Sequence, residues 1–195
     1  MSVEGRPLIE HELIKRTKSG DVAAFEELVR LHQQIALRVA YLVVGDRGGA
    51  EDVAQEAFLK AFRSIGRFEE TRPFRPWLLR IVRNQALNSR RGAGRQERLS
   101  LRLANDLVSG GVAPSPESTV ISRAEGERVL AALNRLPDRY RDVVSHRYLL
   151  GLSEAETATT LGIPPGTVKS RSARALTQLE QALAGMMDTP GGRAR

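Results

Sequence analysis

The stretch Gly162-Ile-Pro-Pro-Gly-Thr-Val-Lys-Ser-Arg-Ser-Ala-Arg-Ala-Leu-Thr-Gln-Leu-Glu-Gln-Ala-Leu183 decides how this chain folds. A glycine and two prolines punctuate it, and a helical pattern starts at once. Proline costs no intrahelical hydrogen bond in a first turn, so Pro164 and Pro165 mark a helix start. With Val168 at zero and about 100° per residue, Val168, Ser172, Ala175, Leu176, Leu179, Ala182 and Leu183 fall on one side. That strip is mostly apolar and suits packing. Ser170, Ala173, Arg174 and Thr177 lie opposite, and Thr167, Lys169 and Arg171 flank the outer surface near the front.

Immediately upstream, Leu152-Ser-Glu-Ala-Glu-Thr-Ala-Thr-Thr-Leu-Gly162 opens with Ser153 and Glu156 in capping-box spacing. Gly162 suits the residue just past the helix end, with Ile163 available for the hydrophobic contact that often follows. Helix, short turn, helix predicts a helix-turn-helix. The first residues of its second helix are those that reach base edges in a major groove. Arg174 can donate two hydrogen bonds to a guanine, and Ser170 can serve a base or a phosphate. Lys169, Arg171, Thr167 and the free N–H groups of the helix start suit phosphates. The plain alternative is an amphipathic surface helix with a solvated face.

Working outward, Leu136-Pro-Asp-Arg-Tyr-Arg-Asp-Val-Val-Ser-His-Arg-Tyr-Leu-Leu-Gly151 reads as a further helix closed by Gly151. Residues 92–122 break the helical rhythm with glycines, serines, Pro114 and Pro116, the composition of a linker. Upstream of it, Asp21 is placed to cap a helix through Val44, with Phe25, Leu28, Val29, Ile35 and Val39 on one side. Gly45 to Gly49 read as a turn. The next helix has an inward stripe of Val53, Ala57, Phe58, Ala61 and Ile65, and shows Asp52, Gln55, Glu56 and Lys60 opposite. After a loop, Pro76 is acceptable only in a first turn, so a third helix starts at Phe74 or Arg75. No segment alternates with the period of a strand. The expected fold class is all-α: two small helical domains, residues 8–91 and 123–185, joined by a flexible linker at 92–122.

The 195 residues carry a net charge of +7, and the pI is near 10.5. Such a balance favours a polyanionic partner, nucleic acid before an anionic membrane surface. The excess has an address: nine arginines between Arg72 and Arg102 face one acid, Glu97, whereas residues 1–71 hold slightly more acids than bases. Arg80, Arg83, Asn84, Asn88 and Arg91 therefore suit single-stranded or melted nucleic acid, while Trp77, Leu78, Ile81 and Val82 read as core. The face of Asp52, Gln55 and Glu56 is a solvated surface or a protein interface, and periodicity does not choose.

The chain has no cysteine, which excludes a disulfide scaffold and a thiolate zinc site. The N-terminal Met-Ser-Val-Glu-Gly-Arg-Pro-Leu-Ile-Glu-His has no apolar signal core, and no apolar run is long enough to span a bilayer. A soluble, cytoplasmic protein without membrane insertion is expected. His11, His32 and His146 stand apart with no catalytic fingerprint beside them. Asp52 and Glu56 share a helix face, but two carboxylates are a weak metal signal. No enzyme, metal, cofactor or small-molecule substrate is expected.

The segments Ala50–Phe62, Phe74–Arg91 and Leu136–Leu176 resemble, in order, regions 2 and 4 of the extracytoplasmic-function sigma factors, specificity subunits of bacterial RNA polymerase. The resemblance implies that Asp52, Gln55 and Glu56 dock on the clamp of the largest polymerase subunit. It implies that the loop 66–72, including Phe68, and the helix bearing Arg80, Arg83, Asn84, Asn88 and Arg91 open the −10 element and hold its non-template strand. Thr167, Lys169, Ser170, Arg171, Ala173 and Arg174 would read the −35 element as duplex, and the flap region would be a further polymerase contact. An anti-sigma factor is a partner the family admits. Four residues depart from the family pattern: Ala173 replaces a larger residue, Ser172 and Thr157 replace apolar ones, and Pro76 is unusual. The rival readings are a free-standing dimeric regulator, which would need a palindromic site, and an enzyme acting on nucleic acid, which would need a catalytic constellation.

Overall fold

The computed structural model describes residues 5–92, 128–129 and 131–187, and the chain divides into two compact units between Gln96 and Glu97. The linker expected at 92–122 lies outside the described residues, apart from Gly92. All regular structure among the described residues is helical.

The first unit holds α1 (Gly5–Lys18), α2 (Val22–Val44), α3 (Arg47–Ser64), a 3-10 turn (Ile65–Arg67) and α4 (Phe74–Gly92). The Asp21 carboxylate accepts from the Ala24 amide at 3.1 Å and starts α2 as its sequence position predicts. Gly45 ends that helix at φ 91°, its N–H bonded to the Tyr41 carbonyl. The expected turn through Gly49 is shorter than the glycines suggest. Asp46 caps α3 by accepting from the Gly49 amide at 2.7 Å, so Gly48 and Gly49 belong to its first turn. A Cβ on Gly49 would stand 2.8 Å from a Val44 methyl, so close approach of α2 and α3 requires glycine there.

The buried row of α2 is Phe25, Leu28, His32, Ala36, Val39, Ala40 and Val43. Val29 and Ile35, expected on this side with Phe25, Leu28 and Val39, lie only half-buried at its edges, and His32 takes the middle. Leu28, Val39, Leu78, Leu79 and Val82 are fully buried, and each contributes about 1.5–3 kcal/mol relative to exposure. α4 starts at Phe74 with Pro76 in its first turn, as anticipated. α1, which sequence periodicity does not single out, packs on α2 and on the 3-10 turn.

The second unit holds a helical piece at 131–135, then α5 (Asp138–Val144), a π-helical turn (Ser145–Leu149), α6 (Glu154–Leu161) and α7 (Pro165–Met187). The single helix expected up to Gly151 is instead closed by the π turn, with the Leu152 amide bonded to the His146 carbonyl at 3.0 Å. His146 is buried and its Nδ1 donates to the Asp142 carbonyl at 2.7 Å. The Ser153–Glu156 capping box is present in both directions, at 3.2 and 2.8 Å. Gly162 follows α6 at φ 68°. Beyond it Ile163 donates to the Ala158 carbonyl at 3.0 Å and packs on Val143, Ala158 and Val168. This bond, with that of the Gly162 amide to the same oxygen, satisfies the Ala158 carbonyl near the end of α6 and sets the direction in which α7 departs.

Candidate nucleic-acid and protein interfaces

Three surfaces collect the residues singled out by sequence. The first is the outer side of α3, where Asp52, Gln55 and Glu56 are exposed while Val53, Ala54, Ala57 and Phe58 are buried. Glu56 is not left free. Gln85 on α4 donates to its Oε2 at 3.0 Å, and Lys60 donates to the Gln85 carbonyl oxygen. Gln85 thus sets the direction of the Glu56 carboxylate from a neighbouring helix, a contact that periodicity does not reveal. Leu59 is 50% exposed seven residues after Asp52, so an apolar side chain completes the acidic face. Its spacing in the helix (52, 55, 56, 59) is the signal that could have found it.

The second surface runs from the loop after the 3-10 turn along α4. Residues 74–92 hold five arginines and no acid. Arg80, Asn84, Asn88 and Arg91 are exposed and recur at helical spacing, forming one row. Arg83 is half-buried beside it. Leu78 and Val82 are fully buried, Trp77 and Ile81 partly so, in agreement with their reading as core. Phe68 requires a revised role. It is 4% exposed, with its ring centroid 5.6 Å from Phe74 and 4.9 Å from Trp77. Burial against two aromatics stabilises the loop and leaves no ring face open for a base.

The third surface is the front of α7. Lys169, Ser170, Ala173, Arg174 and Thr177 are exposed, as their angular positions require. Thr167 and Arg171 are half-buried. The Ser170 hydroxyl donates to the Thr167 carbonyl at 3.2 Å, which leaves its oxygen as an outward acceptor. Val168 and Ala175 are fully buried, the latter with Leu133, Leu136, Tyr140 and Val144. Leu176, placed inward by the wheel, is 37% exposed because it sits at the margin of that strip. Tyr140 was not singled out by sequence. The Arg139 and Arg174 guanidiniums beside its hydroxyl hold its pKa below the ordinary phenol value, and the Arg139 guanidinium lies 4.8 Å from its ring centroid. Arg174 thus has a phenol of α5 beside it.

The described residues contain no cluster of three or more histidines or carboxylates that could hold a metal ion, and no helix long and apolar enough to cross a membrane.

Residues 28–96 match the Sigma-70 region 2 family and residues 126–179 match Sigma-70, region 4. The extracytoplasmic-function (ECF) RNA polymerase sigma factor SigW of Bacillus subtilis is 33% identical over 178 residues, 87% of this chain and 94% of SigW. The RNA polymerase sigma-H factor of Pseudomonas aeruginosa is 35% identical, covering 89% of this chain and 93% of that protein. The ECF RNA polymerase sigma-E factor of Escherichia coli is 35% identical, over 86% and 91%. Among solved structures, CnrH in complex with the cytosolic domain of CnrY shares the fold, with a TM-score of 0.67 at 24% identity over 91% of this chain and 98% of CnrH.

Proposed function

The chain belongs to the ECF sigma factors of the sigma-70 family, which direct core RNA polymerase to promoters, and on that basis we propose a division of labour among its three surfaces. Asp52, Gln55, Glu56 and Leu59 of α3 dock on the polymerase clamp. The loop 66–72 and the α4 row of Arg80, Asn84, Asn88 and Arg91, with Arg83 beside it, hold the melted non-template strand of the −10 element. Phe68 acts from beneath, by holding the loop. The front of α7 reads the −35 duplex: Arg174 and Ser170 toward bases, Lys169, Arg171 and Thr167 toward phosphates, with Ala173 leaving room for close approach.

The observation that carries this reading is the separation of character within the first unit. One helix shows carboxylates and a leucine, and its neighbour shows arginines and amides. An acidic, partly apolar face repels DNA and suits a protein, whereas the arginine row suits a phosphate backbone. The mechanism is binding and strand capture, with no covalent step. Two DNA-reading units on one chain raise each other's effective concentration where the linker spans their elements. A cytoplasmic location and an anti-sigma partner belong to the same reading. The second draws support from the fold shared with the sigma factor RpoE of Bartonella quintana, solved with the anti-sigma factor NepR.

The test is complex formation between the purified protein and bacterial core polymerase. Asp52→Lys with Glu56→Lys should weaken it at least about a hundredfold, since reversed charge at an interface centre costs several kcal/mol. DNA binding through α7 should persist in the same variant. Equal polymerase binding by the variant and the parent would make the α3 face merely solvated. No binding by the parent would leave a free-standing helix-turn-helix regulator as the reading to pursue.

A further inference from the structure

Lys18 closes α1 and lies before the residues 28–96 that match region 2. Its ammonium crosses to the loop between α3 and α4, donating to the Phe68 carbonyl at 3.0 Å and to Glu70 Oε1 at 2.9 Å. The Lys18 and Glu70 side chains are only 25% and 29% exposed, so water competes weakly for these bonds. His11, two turns earlier on α1, stands 3.9 Å from the other Glu70 oxygen.

The same few residues are held from below. The Phe68 ring is packed on Phe74 and Trp77, its amide donates to the Ile65 carbonyl at 3.0 Å, and the Arg72 amide donates to the Glu69 carbonyl at 2.9 Å. Beyond this base, Glu69, Thr71, Arg72 and Pro73 are exposed. The loop is therefore pinned at its root and presented at its tip. A role in packing α1 would be met by an apolar side chain. Lys18 instead directs charge-assisted donors at the loop, one of them to main chain.

We propose that Lys18 is a positioning residue for strand capture: α1 clamps the loop 66–72 in its binding shape before DNA arrives. The idea rests on the assignment of that loop to the −10 strand. Its physical content is preorganisation. A loop ordered in advance does not lose conformational entropy on binding, so that cost is removed from the affinity.

The experiment uses the full chain bound to core polymerase. A randomised single-stranded DNA pool is enriched on the parent complex, and the enriched strand becomes the probe. Lys18→Met keeps the aliphatic stem and removes the donors. It should leave polymerase binding within about twofold and weaken probe binding about tenfold, the size expected when a loop must be ordered on binding. Lys18→Arg, which restores a cation, should recover most of the loss. Amide hydrogen exchange at residues 66–72 should speed up in Lys18→Met while the buried row of α2 stays protected.

Unchanged probe affinity in Lys18→Met overturns the proposal and leaves the assignment of the loop standing. A parallel fall in polymerase binding and in α2 protection also overturns it, because Lys18 would then be a general stabiliser. If the parent complex enriches no strand, the assignment of the loop fails, and the clamp proposal falls with it.

Discussion

Arg174 shows how much a single side chain's role depends on its neighbours. Its place on the outer front of α7 follows from counting 100° steps, and it is exposed where that count puts it. The counting does not supply the Tyr140 hydroxyl, whose pKa the Arg139 and Arg174 guanidiniums beside it lower. An outward guanidinium presents a planar fork that suits bidentate bonding to guanine. Arg174→Ala should therefore reduce discrimination at one or two base pairs of the upstream element by about 1–3 kcal/mol, read from competition binding with single-base variants of the site. An equal loss on every sequence would make Arg174 a phosphate contact. Phe68 shows the opposite case. Its position in the loop suggested a nucleic-acid contact, yet its ring is buried, because a six-residue approach to α4 folds it back on Phe74 and Trp77. Sequence spacing locates a loop residue but not the direction of its side chain.

Helix-turn-helix elements impose their own demands, and here the departures from the family pattern acquire a physical meaning. Thr157 is fully buried in α6, and its hydroxyl has no hydrogen-bond partner; the part-buried Ser172 of α7 is in the same situation. The resemblance to the family implies apolar side chains at both positions. A buried hydroxyl without a partner loses its water and gains nothing in return. Thr157→Val keeps the shape and removes that penalty, so it should stabilise the second unit by about 1 kcal/mol in urea unfolding. A destabilised variant would mean the hydroxyl is satisfied, for example by a trapped water. The caps of these helices were legible in sequence because Ser153, Glu156 and Gly162 act on their own neighbours. The π turn after α5 was not, since it depends on how His146 and Leu152 settle into the core. The same distinction explains α2, where His32 is buried and Val29 and Ile35 only half so: the His32 Nε2 meets Glu10 of α1 at 2.7 Å.

Taken whole, the molecule distributes charge between surfaces and uses ion pairs to hold its first unit together. Asp21 bonds Arg16 and caps α2, and Glu70 bonds Lys18; these partners hold both carboxyls below their ordinary pKa values. The unfolded chain then binds protons more readily than the folded one. The stabilisation is complete above the ordinary carboxyl range, about pH 4 to 4.5, and fades as pH falls through the lower folded values. The one tryptophan, Trp77, reports on the first unit alone. Its fluorescence during urea unfolding should show a midpoint that drops on acidification below about pH 4.5, and less steeply in Asp21→Asn with Glu70→Gln. An equal slope in that double variant would assign the acid sensitivity to other carboxyls. The all-α class, the caps of α2 and α6, the inward stripe of α3 and the outward residues of α7 were determined by the linear order of residues, because each arises from contacts within a few positions. The tertiary structure alone decided that Phe68 is buried, that Gln85 aims Glu56, that Tyr140 lies beside Arg174 and that Lys18 holds a loop fifty residues away. Those depend on which helices lie side by side, and helical periodicity carries the inward direction of each helix but not the identity of its neighbour.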